Sequence, residues 1–306
     1  LSPSEPGSVG AQTIRRSGTA VLLGRPNVGK SSLLNAFIGA HLGAVSAKPH
    51  TTRQNILGVR SFASSQIAFL DTPGLQRRPV SAVHRAMERA LDQALSDVDL
   101  VVLVVEAGRF GAGDRAALER AKESGRPVAL CINKIDRVRD KAQLLPFIDQ
   151  LRRLHDFVDV LLVSARRESG TEEACKRLAE RMPEREALFD PDTLTDRSER
   201  FLVAELVREQ LMRQLDNEVP YACGVEIEAF EHQGARRRIA ATIWVEREGQ
   251  KAIVIGEGGS RLKQIGTAAR KEIEKLLAGR VYLELWVKVR ADWTRSEQAL
   301  KQLGLH

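Results

Sequence analysis

The chain has 306 residues, with 47 Lys+Arg against 40 Asp+Glu, a formal charge of +7 and 43% apolar residues. That length suggests about two domains, and the apolar fraction excludes a wholly disordered chain. Apolar runs such as Leu100–Val105 fall far short of the about 20 residues that cross a bilayer, which excludes a membrane-spanning helix.

Residues 1–17 are rich in Ser, Pro and Gly and lack an apolar h-region. They are expected to form a disordered tail, neither secretory signal nor transit peptide, which points to a bacterial cytoplasm. From residue 18 to 182, short apolar runs alternate with helix-like stretches. The runs are Ala20–Leu23, Ile67–Leu70, Leu100–Val105, Val128–Ile132 and Val160–Val163. The helices are expected near Ser31–Ile38, Val83–Leu95, Asp114–Glu123, Ala142–Leu154 and Glu172–Met182. Continuous Val/Leu/Ile strands separated by helices predict a mostly parallel sheet covered on both faces, a doubly wound α/β domain. Asn55–Phe62 and Ser65–Leu70 flank only a short turn, so that pair is expected to run antiparallel.

Residues 183–197 break this rhythm with two prolines and alternating charge, and are expected to form a linker. A smaller α+β domain follows over 198–306. Its predicted order is helix Ser198–Leu215, strands Cys223–Phe230 and Arg238–Glu246, a Gly-rich loop after Ala252–Ile255, helix Arg261–Leu277, strand Val281–Val289 and helix Asp292–Leu303. Residues 1–196 hold 28 basic and 24 acidic side chains, and 197–306 hold 19 and 16. Neither part is a basic arm, so affinity for RNA or phosphate must come from local placement. The 14 aromatic residues argue against a module built on several stacking rings, and Trp244 and Trp286 are expected in the core. Cys131, Cys175 and Cys223 are odd in number and widely spaced, and are expected as buried thiols in a reducing compartment. The six histidines are scattered, with no metal-ligand spacing.

Four segments, each at the end of an expected strand, carry the chemistry. The strand Ala20–Leu23 runs into Gly24-Arg25-Pro26-Asn27-Val28-Gly29-Lys30-Ser31, followed by Ser32, a GxxxxGK[ST] loop opening a helix. Such a loop aims backbone N–H groups and a helix N-terminus at phosphate oxygens; Lys30 would reach the β- and γ-phosphates and Ser31 would ligate Mg²⁺. Asp71-Thr72-Pro73-Gly74 ends the next parallel strand, placing Asp71 on Mg²⁺ through water and Gly74 on the γ-phosphate. Asn133-Lys134-Ile135-Asp136 ends another, where a carboxylate accepts from N1–H and the 2-amino group of guanine, donors that adenine lacks. Ser164-Ala165 would set a backbone N–H against guanine O6. All four lie at the carboxyl edge of the sheet, where open α/β folds bind ligands.

Between the first two lies Pro49-His50-Thr51-Thr52-Arg53, the expected switch I. Thr52 is preferred over Thr51 as the Mg²⁺-completing hydroxyl, a plain loop threonine being the alternative for either. In the second half, Gly256-Glu257-Gly258-Gly259 leads through Ser260 into a helix. It reads as a GxxG loop that clamps nucleotide phosphates, or as a helix-initiating turn. Glu257 is acidic where phosphate-facing loops are often basic, so the electrostatic load passes to Arg261, Lys263 and Arg270, unless these form an ordinary solvated face. Arg236–Arg238 are expected in a hairpin turn, touching RNA backbone or simply exposed.

GRPNVGKS, PHTTR, DTPGL, NKID and DRSERF together resemble the Era family of ribosome-assembly GTPases, over nearly the whole chain from Gly18. The resemblance implies a Ras-like GTPase domain of the TrmE–Era–EngA type followed by a type II KH domain. It also implies binding to the 3′ end of 16S rRNA, assistance to 30S subunit maturation, a monomer, and a peripheral contact with the inner membrane. Where Ras-type enzymes orient water with Gln, this chain has Leu75, so unassisted hydrolysis is expected to be slow. In related GTPases an Asn at the Asn27 position helps seat a monovalent cation, here K⁺. Two other readings are a GTPase acting in tRNA modification and a KH adaptor with a vestigial nucleotide site. Lys30, Ser31, Asp71 and Asp136 speak against the second.

Overall fold

The computed structural model describes residues 14–48, 51–74, 82–234 and 236–296. Pro49, His50, residues 75–81 (the start of the expected switch II, Leu75 to about Val83), most of the expected tail, and the end of the last expected helix lie outside the described residues.

The first half folds around strands apolar on both faces. β1 (Arg16–Leu23), β4 (Leu100–Glu106), β5 (Val128–Asn133) and β6 (Asp159–Leu162) run parallel beside β3 (Ser65–Asp71), with antiparallel β2 (Ile56–Ser61) at the edge, in the order β2-β3-β1-β4-β5-β6. Alternate residues enter two separate cores. Ala20, Leu22, Val102 and Val104 pack under α1 (Lys30–Ile38) and α5 (Thr171–Glu180). Val21, Leu23, Val101 and Leu103 pack under α2 (Ala82–Ser96), α3 (Ala112–Glu123) and α4 (Leu144–Arg152). Burying each such Val or Leu side chain stabilises by about 1.5–3 kcal/mol, which is why these short strands hold a central sheet. The chain leaves β1 between β3 and β4, and the loops after β1, β3, β5 and β6 therefore meet at one edge.

Residues 183–197 lie along this sheet. Val59 N donates to Leu194 O (2.8 Å), Thr195 Oγ1 to Leu57 O (2.6 Å) and Gln66 Nε2 to Phe189 O (2.8 Å). The segment thus covers the edge strand β2, whose backbone would otherwise invite another strand.

In the second half, α6 (Glu199–Gln214), capped by Ser198 Oγ accepting from Phe201 N, packs with α8 (Ser260–Leu276) on a three-stranded sheet. That sheet is β7 (Gly224–Gln233) antiparallel to β8 (Arg236–Val245), with β9 (Arg280–Val289) parallel to β8. α7 (Glu248–Ile255), the Gly-rich loop and α8 form the crossover from β8 to β9. All three cysteines are buried and free.

Three expectations are corrected. Trp286 is not core: it is 60% exposed, because Val281 and Val287 take the helix-facing parity of β9 and leave Tyr282, Glu284, Trp286 and Lys288 on the open face. Trp244 is half-buried on the same face, donating to Glu226 Oε2 (2.8 Å) beneath Lys288 and Arg290. Arg236–Arg238 form the first residues of β8 instead of a turn, Arg238 pairing with Glu284 (2.7 Å). Of the last helix, the described part is a single 3-10 turn, Trp293–Arg295.

Candidate functional site

Gly24–Ser31 leaves β1 and turns into α1. Gly29 has φ +101°, and a Cβ there would lie 2.5 Å from Asn133 Nδ2, so the loop tolerates only glycine. Lys30 is buried, its ammonium donating to Gly24 O (3.0 Å) and Arg25 O (3.3 Å); burial lowers its pKa to about 8, against the opposing pull of Asp71. Ser31 Oγ donates to Asp71 Oδ2 (2.6 Å) and lies 2.8 Å from Thr52 Oγ1, which donates to the same carboxylate oxygen (3.2 Å). Burial pushes the Asp71 carboxyl above the ordinary carboxylate range, partly offset by Lys30, and Asp71 Oδ1 is buried without a hydrogen-bond partner. Two hydroxyls and a carboxylate with a spare lone-pair oxygen make an all-oxygen donor set, which fits a hard divalent cation such as Mg²⁺. Thr51 borders the cavity at this centre, but its hydroxyl is engaged by Ser46 Oγ (2.7 Å) and Lys48 O (2.9 Å) and not by Asp71.

Around this centre Pro26, Asn27, Gly29, Lys30, Ser31, Ser32, Thr52 and Gly74 line a cavity of ≈ 60 Å³. Asn27, at φ +64°, donates through Nδ2 to Ala47 O (2.9 Å). Thr72 Oγ1 donates to Leu22 O (2.8 Å), Pro73 is buried, and Gly74 abuts Pro26, which together fasten the end of β3 to the loop. Val28 sits in the core and Arg25 points away from the cavity, to Asp114 (3.1 Å) and Glu106 (3.0 Å).

A second cavity, ≈ 630 Å³, adjoins the first through Gly29 and Ser32 and contains Asn133, Lys134, Asp136 and Ala165. Asn133 ties three loops: Nδ2 donates to Val28 O (3.0 Å), while Oδ1 accepts from Lys134 N (2.7 Å) and Ala165 N (3.1 Å). Of the two amides at the expected guanine O6 position, Ala165 N donates to this Asn133 oxygen and Ser164 N to Ser169 O (2.9 Å). Ser164 Oγ donates to Asp136 Oδ1 (2.6 Å), and this bond holds the Asp136 carboxyl below the ordinary range, leaving an anionic acceptor at the cavity.

Three contributors escaped the sequence reading. Glu106, ending β4, gathers Arg25 (3.0 Å), Lys134 (3.1 Å) and Arg137 (3.1 Å). Burial alone would raise its carboxyl, but Lys134 and Arg25 outweigh that and lower it. An acid closing the apolar run LVVLVV was a legible signal. His41, just after Gly39 and Ala40, also lines the larger cavity, as does Arg213 of α6, brought there by domain packing that no local pattern announces.

In the second half, Gly256, Gly258 and Gly259 all have positive φ, and Cβ atoms at Gly258 and Gly259 would meet nothing within 4 Å. Glu257 and Gly258 form an exposed backbone loop that ends at Ser260, the start of α8. Beside it a cleft of ≈ 560 Å³ runs between α8 and β9, with Leu262, Leu283 and Leu285 on its walls and Lys263, Arg270 and the exposed Tyr282 at its rim. Gly266 opens it by facing Leu285. Arg261 stays at the loop, against Gly256, outside the cleft lining.

A phosphate loop, a guanine-type carboxylate and a GxxG cleft in one chain define a P-loop GTPase joined to a KH domain. Family models agree: residues 19–134 match the 50S ribosome-binding GTPase model and 218–294 the KH domain model. The chain is 50% identical to GTPase Era of Xanthomonas axonopodis pv. citri over 289 residues, 94% of this chain and 97% of that one. It is 48% identical to GTPase Era of Stenotrophomonas maltophilia over 293 residues, 96% and 98% of the two chains. Among solved structures, it is similar to an Aquifex aeolicus Era variant bound to GDP and AlF4⁻ (TM-score 0.89, 36% identity, 95% and 99% covered). It is equally similar to Era in complex with MgGDPNP and nucleotides 1506–1542 of 16S ribosomal RNA (TM-score 0.90, 35% identity, 95% and 99% covered). The chain belongs to the Era family of GTPases.

Proposed function

We propose that this GTPase binds the 3′ region of 16S rRNA and assists 30S subunit maturation, with GTP hydrolysis switching the RNA-bound state. The observation that carries the nucleotide half is the convergence of Ser31, Thr52 and Asp71, with Asp71 Oδ1 left unpartnered. In this reading Lys30 neutralises charge on the β- and γ-phosphates, Gly24–Ser32 wraps the phosphates with backbone N–H groups, and Gly74 senses the γ-phosphate. Ser31 and Thr52 ligate Mg²⁺ directly and Asp71 through water; when bound, the metal would offset phosphate charge. Asn133, Lys134, Asp136, Ser164 and Ala165 select guanine, and Asn27 helps seat K⁺. Arg25 braces the loop from behind through Glu106 and Asp114.

The RNA half is supported by the Era structure solved with nucleotides 1506–1542. In this reading Gly256–Gly259 and Ser260 clamp the sugar–phosphate chain, unstacked bases lie against the leucine walls, and Arg261, Lys263 and Arg270 meet phosphates. We divide the chain into a GTPase domain at 18–182, a linker at 183–197 and a KH domain at 198–306. We take it as a monomer of the cytoplasm that touches the inner membrane only peripherally. Among the described residues no helix is long and apolar enough to cross a membrane.

The test pairs two measurements on the full chain: GTP turnover to GDP and phosphate, and binding of an oligonucleotide with the 3′-terminal 16S sequence against a scrambled control. Turnover with preference for the 16S oligonucleotide is expected. Equal binding of both oligonucleotides would overturn the rRNA assignment, and absent turnover the hydrolase.

A further inference from the structure

The loop that presents Thr52 is fastened to the KH domain. Arg53, adjacent to Thr52 and buried, extends its guanidinium out of the GTPase domain onto a turn at 220–223. Its nitrogens donate to the main-chain carbonyls of Cys223 (2.9 Å), Tyr221 (2.8 Å) and Pro220 (3.5 Å). The remaining carbonyl of this turn, Ala222 O, accepts from Trp293 Nε1 (3.0 Å), a fully buried indole just after β9, the strand that walls the RNA cleft. The other end of the loop is held too: buried Glu209 of α6 accepts from Val45 N (2.9 Å) and pairs with His41 (2.8 Å), and Arg213 donates to Val45 O (2.9 Å).

We propose that Arg53 is a positioning residue for Thr52, and that the 220–223 turn, braced by Trp293, is the seat through which the KH domain sets Thr52 against Ser31 and Asp71. A planar guanidinium fork is suited to several carbonyls at once, so the direction of the Arg53 side chain, and with it the path of the backbone at Thr52, follows the turn. The links run without a gap: β9, Trp293, the turn, Arg53, Thr52, Asp71. A shift of the turn on RNA binding moves Thr52, and by linkage a triphosphate that holds Thr52 favours the docked turn to the same degree. The inference rests on Thr52 being the hydroxyl that responds to the γ-phosphate.

The experiment measures the affinities of the full chain for GDP and for GDPNP in Mg²⁺, and the affinity for the 3′ 16S oligonucleotide with each nucleotide bound. Wild type is compared with Thr52→Ala, Arg53→Lys and Trp293→Phe. Lysine keeps the charge but offers one ammonium for three carbonyls, and phenylalanine keeps the ring without the N–H. Arg53→Lys should weaken GDPNP about tenfold and leave GDP within about twofold, with Trp293→Phe showing the same split to a smaller degree. The GDPNP-over-GDP gain in RNA affinity should shrink as well, and by linkage the RNA-induced gain in GDPNP-over-GDP preference shrinks by the same factor as that gain. If Thr52→Ala spares GDPNP, the assignment of Thr52 itself falls. If Thr52→Ala weakens GDPNP but Arg53→Lys does not, or weakens both nucleotides alike, the positioning role is overturned while the site stands. Should Arg53→Lys fail to fold, Trp293→Phe decides: an unchanged GDPNP-to-GDP ratio there overturns the seat.

Discussion

The proposed nucleotide site and the proposed RNA cleft are built in opposite ways. Around Gly29 the backbone is wedged against Asn133, and Lys30, Ser31, Thr72, Asn133 and Asp136 all have partners within the protein. At Gly258 and Gly259 the backbone faces open space, and among the described residues Lys263 and Arg270 form no ion pair. One site is preorganised by its own fold, so its specificity rests on few atoms. The other is an open surface, on which an adaptable strand would be held by several weak contacts in the proposed reading.

If that contrast holds, the largest loss should follow a one-atom change in the closed site. Asp136→Asn replaces an acceptor by an amide that donates, leaving guanine donors unpaired in a built pocket. GTP affinity is expected to fall by about 10³–10⁴, with xanthosine nucleotides binding better than GTP in competition measurements. Retained GTP preference would put the base elsewhere and break the comparison at its root. The next effect tests whether the phosphate end needs a supplement. With Leu75 where a water-orienting Gln stands in Ras-type enzymes, K⁺ near Asn27 is expected to raise turnover about tenfold over Na⁺, and Asn27→Ala to abolish the difference. Equal rates in both salts would remove the cation from the reading.

In the open cleft, single changes should cost less. Gly258→Asp adds a charge where phosphates pass, and Asp is among the residues that accept φ near +57°. RNA affinity is expected to fall about tenfold in filter or fluorescence binding, with GDP affinity unchanged. Unchanged RNA affinity would mean that the cleft is not the RNA site.

The contrast also explains what could be read in advance. The P-loop, DTPG and NKID are contiguous and sit at strand ends, so their spacing alone places them on one sheet edge. Thr52 is preferred over Thr51 without a local signal to fix it, because the choice depends on which hydroxyl the KH-bound loop turns inward. Arg213 reaches the larger cavity only through packing of α6 on the GTPase domain, and no local pattern encodes it. The misplacement of Trp286 had a remedy in the sequence itself. On β9 the odd positions Val281, Leu283, Leu285, Val287 and Val289 are all aliphatic, whereas Trp286 keeps step with Glu284 and Lys288. An aromatic in phase with charges belongs to the outer face.

The smallest expected effect lies where the two regions join. His41 of the GTPase domain sits 2.8 Å from Glu209 on α6 and 3.8 Å from Glu272 on α8, with Arg213 opposing. The bond to Glu209 outweighs the cost of burial and raises the histidine pKa above 6.5. A raised folded-state pKa contributes stability that is fully present below the unfolded value of about 6.5 and is lost as pH rises through the folded value. His41→Gln keeps a donor but cannot be charged. The unfolding midpoint of the wild type should therefore exceed that of His41→Gln by about 1–2 °C below pH 6.5, and the gap should close toward pH 8.5. A gap that widens with pH would reverse the sign of the linkage and remove His41 as a charged link across the joint. A gap that closes as expected would mark the domain contact as responsive to pH across this range, in contrast to Asp136, which Ser164 holds below the ordinary carboxylate range.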